Sequence, residues 1–192
     1  MQHACGQKLM KIIILNGNPD AKNDLLDNYL KRLSDVLISG NHAVTIFNLR
    51  DMHIKYCTGC FRCWTETPGQ CVEEDESGYL CREYINSDFV LFASPIMMGF
   101  TSALLRRVQD MLLPLVHPYY IFVKNQIQHL SRYEKYPQAG LLLEKGKNAD
   151  EEDIEIITDV YRRTTFNSAD LFCFTKLTSD PVEDIANEIN CI

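Results

Sequence analysis

Five short apolar segments, separated by amphipathic ones, predict an α/β chain: a doubly wound five-stranded parallel sheet in a three-layer α/β/α arrangement. Three observations carry this. The apolar segments are rich in branched or aromatic residues and stop at Gly, Pro, Ser or Asn, as buried parallel strands do. The stretches between them space their apolar residues by three and four. The first strand, helix and second strand follow one another closely enough to form a βαβ unit, which crosses over right-handed.

The elements follow in order. Residues 11–16 (KIIILN) form the first strand, stopped by Gly17 and Pro19. Residues 22–39 carry Leu25, Leu26, Tyr29, Leu30, Leu33, Val36 and Leu37 at helical spacing, and Gly40–Asn41 ends the helix. Residues 43–49 (AVTIFNL) form the second strand and residues 88–93 (DFVLFA) the third, closed by Ser94–Pro95. A short helix over 78–87 lies between them, and an amphipathic helix over 102–116 follows. Residues 140–143 form the fourth strand. Residues 150–167 form a helix with an acidic start that suits the helix dipole, with Ile154, Ile157, Val160 and Tyr161 facing inward. Residues 171–175 (LFCFT) form the fifth strand, with Cys173 in the core. Residues 181–190 form a last helix with Pro in its first turn.

A chain of 192 residues fits one domain with a full core. Two inserts break the alternation, a cysteine-rich one at about 50–77 and an irregular aromatic one at about 118–137. The net charge of −7 argues against nucleic-acid or anionic-membrane partners, which need a basic face. The longest apolar run near the start, residues 12–15, is too short for a signal peptide or a span, so a cytoplasmic location is expected. Residues 1–7 read as an untidy start.

Open α/β sheets bind ligands at the carboxyl ends of their strands, near the switch in strand order. Three loops lie there: 17–23, 94–101 and 144–149. The first leads into a helix N-terminus, where free N–H groups favour an anion. A turn that simply needs Gly and Pro explains the same residues, and Asp20, Asn23 or Asp24 read equally as helix caps. In the second loop, Met97, Met98 and Phe100 read as a flat ligand wall or as plain packing.

Four of the 8 cysteines crowd into Cys57-x2-Cys60-x2-Cys63-x7-Cys71. Two-residue spacings let successive thiols point inward from one turn, and Gly59 and Pro68–Gly69 permit tight turns. A [4Fe–4S] cluster held by Cys57, Cys60, Cys63 and Cys71 fits this run. Zinc, for which the Cys60/Cys63 pair fits one knuckle, a redox Cys-x2-Cys pair, and a metal-free loop anchored by Trp64 stay open beside it. Cys5, Cys81, Cys173 and Cys191 read as structural. His117 and His129, near the strand-end edge, read as hydrogen-bonded structural residues. Arg106 and Arg107 could reach a cofactor phosphate, but fit a solvated helix surface better.

Residues 14–19 (ILNGNP), 57–71 (CTGCFRCWTETPGQC), 94–100 (SPIMMGF) and 102–110 (SALLRRVQD), with 117–120 and 132–143 (RYEKYPQAGLLL), occur in one order. Together they resemble the flavodoxin-like NAD(P)H-dependent FMN reductases, and more narrowly the iron–sulfur flavoprotein branch, from about residue 11 to 175. The resemblance implies a flavodoxin-like fold and bound FMN. Asn16, Gly17, Asn18, Pro19 and Asn23 would lie at its phosphate, and Ser94, Pro95, Ile96, Met97, Met98, Gly99 and Phe100 at its ring. It further implies NAD(P)H as reductant, an electron acceptor it does not name, and a homodimer or higher homo-oligomer.

The first loop departs from that pattern. The family's Gly-Ser-Pro-Arg and later hydroxyl pair are here Gly17-Asn18-Pro19-Asp20 and Asn23-Asp24-Leu25. The hydroxyl donors are gone and a carboxylate stands at the arginine position. Two other functions stand beside the oxidoreductase: from this loop, a binding module that has lost FMN, and from the cysteine run, a cysteine-cluster electron carrier or redox sensor.

Overall fold

The computed structural model describes residues 9–123, 126–164 and 171–192. Strands β1 (Lys11–Asn16), β2 (Ala43–Asn48), β3 (Phe89–Met97), β7 (Gln138–Glu144) and β8 (Phe172–Leu177) form one parallel sheet in the order β2-β1-β3-β7-β8. β4 (Phe100–Thr101) turns back antiparallel on the end of β3. The expected five-stranded doubly wound sheet is present, and its order switches between β1 and β3.

Alternation along the strands sorts side chains to two faces. Ile12, Ile14, Leu91 and Leu142 pack against α1 (Leu25–Ser39) and α6 (Val182–Asn190), meeting Leu30, Leu33 and Ile185. Ile13, Leu15, Phe92 and Leu141 pack against α3 (Ser77–Ile85), α4 (Ala103–Met111) and α5 (Glu151–Thr164), meeting Tyr84, Leu105 and Tyr161. Residues 12–15 are fully buried because both faces of β1 are covered.

Several boundaries differ from expectation. Helix α1 begins at Leu25 rather than at 22, and Leu25 itself is exposed. β3 runs past Ser94–Pro95 to Met97, because Ile96 and Met97 pair with Thr101 and Phe100. Helix α4 stops at Met111. Pro114, which has no N–H to donate, sits in a 3-10 turn, Leu113–Leu115, and Val116 is already a strand residue. The fifth helix ends within the described residues at Thr164, so residues 165–167 of its expected span lie outside them, as do residues 1–7 and Cys5. Cys173 is exposed, not core: among the described residues β8 is an edge strand, paired with β7 alone.

The inserts have more order than their composition announced. The aromatic one is a ribbon of β5 (Val116–Val123) and β6 (Gln126–Ser131), which among the described residues pair only with each other. The cysteine-rich one holds a 3-10 turn, Leu49–Asp51, and a single helical turn, α2 (Arg62–Thr65). Among the described residues no helix is long and apolar enough to cross a membrane.

Gly140 sits where β7 passes Phe89 and Phe174. A Cβ there would lie 2.7 Å from the Phe174 ring and 2.9 Å from Phe89 Cζ. Gly140→Ala should therefore overpack this layer and lower the unfolding free energy by about 2 kcal/mol in urea titration.

Candidate functional site

The carboxyl edge of the sheet is held by a polar network. Asn16 and Asn48 end β1 and β2 in register, and Asn16 Nδ2 donates to Asn48 Oδ1 at 3.0 Å. The same amide donates to Asp27 Oδ1 at 2.7 Å, while Asn16 Oδ1 accepts the Asn18 N–H at 3.0 Å. Asn18 Nδ2 reaches the Asn23 carbonyl at 2.7 Å and Asp27 Oδ1 at 3.1 Å. Arg50 closes the ring with a two-pronged contact to Asp27, at 3.2 and 2.7 Å, and a bond to the Asn18 carbonyl. Burial alone would raise the Asp27 carboxyl, but hydrogen bonds from Arg50, Asn16 and Asn18 outweigh it and hold the group below its ordinary value.

The first loop also spends donors on itself. Asp20 N–H bonds Asn18 Oδ1, Lys22 N–H bonds Asp20 Oδ1, and Asn23 N–H bonds the Asp20 carbonyl. Asp20 thus turns its carboxylate onto its own loop. No side chain caps α1, contrary to the expectation for Asp20, Asn23 or Asp24, so first-turn N–H groups of the helix stay available to an anion. Gly17 has a packing reason: a Cβ would lie 2.9 Å from Leu105 Cβ and from Ser102 Oγ. Ser102 caps α4 and donates to the Gly17 carbonyl, pinning this loop to the third strand's helix.

The second loop is the β3–β4 turn. Ser94 is buried, and its hydroxyl accepts the Ser102 N–H and donates to the Pro95 carbonyl. Met98 and Gly99 occupy the left-handed region at φ 52° and 76°. A non-glycine residue there is uncommon, and the Met98 side chain is fully exposed. Across the edge, Asn23 Nδ2 donates to Glu144 Oε1 at 3.3 Å, and Glu144 Oε2 is buried without a partner among the described residues. Asn16, Gly17, Asn18, Pro19 and Asn23 thus lie on one side of this edge and Ser94 to Phe100 beside them. Pro19 is exposed and makes no contact that the geometry depends on. Asp27, Asn48 and Arg50 are the residues that sequence reasoning missed at this site, whereas Glu144 opens the third of the expected strand-end loops. For Asn48 the signal was a polar residue ending an apolar strand, as at Asn16 and Glu144.

The cysteines form a separate place. Cys57, Cys60, Cys63 and Cys71 line one narrow cleft with Phe61, Met111 and Pro114. Cys57 and Cys60 are exposed, Cys63 is buried. Burial pushes the Cys63 thiol up, and Cys71, Cys57 and Cys60 push the same way. Gly59 and Gly69 take positive φ, as the expected tight turns require. Phe61 stacks on Trp64 at 5.2 Å, and Trp64 Nε1 donates to the Val116 carbonyl, so Trp64 does anchor the loop. Among the described residues no three His, Cys, Asp or Glu side chains stand close enough together to hold a metal ion. His129 bonds the His117 carbonyl, a structural role, but both lie on the ribbon that follows α4 and not at the carboxyl edge. Arg106 pairs with Asp110, and Arg107 lies over the Tyr56 ring, so neither is committed to the strand-end loops.

A family model for NADPH-dependent FMN reductases matches residues 10–138, the loops after β1 and β3 and the cysteine run included. The chain belongs to this family. An iron–sulfur flavoprotein of Archaeoglobus fulgidus is 31% identical over 111 residues, 56% of this chain and 48% of that protein, so the chain spans about half the length of the curated relative it matches. The FMN reductase fold is also that of an FMN-dependent NADH-azoreductase from Bacillus anthracis, with a TM-score of 0.63 at 12% identity over 94% of this chain and 99% of that one. An NAD(P)H:quinone oxidoreductase from Methanothermobacter marburgensis superposes with a TM-score of 0.64 at 14% identity, over 96% and 92%.

Against these FMN reductase folds, the residues present fit a flavin unevenly. The exposed Met98 wall and uncapped α1 suit its ring and phosphate. The self-bonded loop and Asp20 do not help the phosphate. Two outcomes follow. Asp27→Asn should cost about 2 kcal/mol at neutral pH, since it strips Arg50 of its charged partner. Because the folded Asp27 carboxyl is depressed, its contribution is present above the unfolded value near 3.8 and lost as pH falls through the lower folded value. The gap between wild type and variant in urea titration should therefore close on acidification. Asp20→Ser should tighten FMN binding about fivefold and leave riboflavin unchanged in fluorescence titration, because one carboxylate near the phosphate is removed.

Proposed function

We propose that the protein is an NAD(P)H-dependent oxidoreductase that carries FMN at the carboxyl edge of its sheet and passes electrons to an acceptor its sequence does not name. The observation that carries this reading is the β3–β4 turn: an exposed methionine held in a left-handed conformation, beside buried Ser94 and opposite Glu144. Strain of that kind persists where surroundings enforce it, and it recurs at ligand sites. Bound FMN supplies the chemistry, two electrons taken from a nicotinamide and released singly or together. The chain supplies the rest. Met97, Met98, Gly99 and Phe100 exclude water from the ring, Ser94, Pro95 and Ile96 set its edge, and the α1 N-terminus meets the phosphate beside Asn16, Gly17, Asn18, Pro19 and Asn23. The buried Glu144 oxygen offers an acceptor to a ligand N–H or O–H.

A second element of the reading is a [4Fe–4S] cluster on Cys57, Cys60, Cys63 and Cys71. The support is that all four thiols line one cleft. Ligation requires the exposed Cys57 and Cys60 to close on Cys63. Helix α4 separates this cleft from the flavin edge, since Ser102 caps its start and Met111 lines the cleft at its end. Nine residues at 1.5 Å rise put about 13 Å between them, so the cluster would act as a relay rather than as part of the flavin pocket. Such thiols remain reduced in the cytoplasm, where we place the protein as a homodimer or higher homo-oligomer.

The visible spectrum of anaerobically purified protein tests both parts. Flavin bands that bleach on adding NADPH are expected; protein that stays colourless with added FMN overturns the enzyme reading. Cys60→Ser should remove the broad iron–sulfur absorption and acid-labile sulfide while leaving the flavin bands. Sulfide absent from the anaerobic wild type would end the cluster reading alone.

A further inference from the structure

Helix α4, the ribbon and the cysteine-rich insert enclose a groove of about 540 Å3. Its walls come from segments far apart in the chain: Cys57 of the insert, Gln109 of α4 and Leu112 just after it, Tyr120 and Gln128 of the ribbon, and Arg163 of α5. Among the described residues, none that lines it belongs to the loops 17–23, 94–101 or 144–149, so the groove is separate from the proposed flavin edge. Ligand sites of this size are mostly apolar and aromatic, with a few polar groups that fix orientation. Tyr120 and His129 supply an aromatic wall, their rings 4.7 Å apart and inclined at 35°. The polar groups are two carboxamides. The side-chain carbonyl oxygens of Gln109 and Gln128 are buried without a partner among the described residues. An acceptor left in that state costs free energy, and native chains keep few of them. The last torsion of a glutamine is soft, so either oxygen can turn to a ligand donor in the groove without moving the backbone.

Charge narrows the ligand further. Arg106 is held by Asp110 at 3.0 Å and Arg163 by Asp159 at 3.4 Å, so both arginines of the lining have carboxylate partners. Asp110 itself lines the groove. A phosphate or carboxylate therefore finds no uncommitted arginine or lysine among the described lining residues, and the two carboxamide oxygens repel it. We infer that this groove binds a neutral aromatic ring carrying an O–H or N–H donor, with the donor on the carboxamide oxygens of Gln109 and Gln128 and the ring against Tyr120. Cys57 lines both this groove and the thiol cleft, so the bound ring lies beside a thiol. The inference stands whether or not a flavin or a cluster is bound.

Calorimetric titration of the full chain with β-naphthol, its methyl ether and β-naphthoate tests this. The three share one ring system; the naphthol alone offers a donor, and the naphthoate alone is charged. β-Naphthol should bind about tenfold more tightly than either of the others, and Gln109→Leu should abolish that preference. Because it removes an unpaired acceptor, Gln109→Leu should unfold at no lower urea concentration than the wild type, which a glutamine with a structural role would not allow. Gln128→Leu gives the same readout if the first variant does not fold. Two exposed tyrosines locate the ring. Tyr120→Ala should weaken β-naphthol about fivefold, whereas Tyr119→Ala, on the opposite face of the ribbon, should leave it unchanged. No binding of β-naphthol, equal binding of its methyl ether, tighter binding of β-naphthoate, a preference that survives both glutamine variants, or equal effects of the two tyrosine variants overturns the inference.

Discussion

The two-pronged pairing of Arg50 with Asp27 holds the carboxyl edge of this protein together. Asp27 lies in the first helix, Arg50 just beyond the second strand, and Asn16 and Asn48 at the ends of the first two strands, which pair with each other. One carboxylate thus organises three elements and the loop between two of them. The pair is partly buried, so its strength comes from fixed donors rather than from Coulomb attraction alone. The same network takes up polar side chains that would otherwise point at a ligand. It makes the edge rigid, and it leaves the helix N-terminus and the backbone as the remaining means of holding a phosphate.

Helix α4 organises the molecule's other axis. Its N-terminus is capped by Ser102, which also binds the Gly17 carbonyl, so it belongs to the carboxyl edge of the sheet. Its C-terminus faces the cysteine cleft and gives way to the aromatic ribbon. The strand-end loops, the cysteine cleft and the aromatic ribbon are therefore arranged along one short helix. Trp64 ties the last two together, donating to Val116 and packing at 5.3 Å against His129.

The sheet, its helices and the cysteine loop were legible in the sequence because each rests on a local rule. Residues 12–15 announce a strand covered on both faces, and the spacing of Leu26, Leu30, Leu33 and Leu37 announces the helix that covers one of them. The site was half legible. The loops after the first, third and fourth strands were found from topology, Glu144 among them, but the parts of Asp27 and Arg50 were not, because their role depends on which strand ends lie side by side. Cys173 was misread because alternation shows a face, not whether the strand stands at an edge.

The sequence by itself determined the alternation of elements, the acidic first loop and the cysteine spacing, since these are properties of neighbours along the chain. Only the tertiary structure decided that the loop's donors are spent internally, that the four thiols share a cleft at the far end of α4, and that residues 116–123 and 126–131 pair as a ribbon. Each of those depends on contacts between segments distant along the chain. Such contacts form only once the sheet has set the strand order that brings them together.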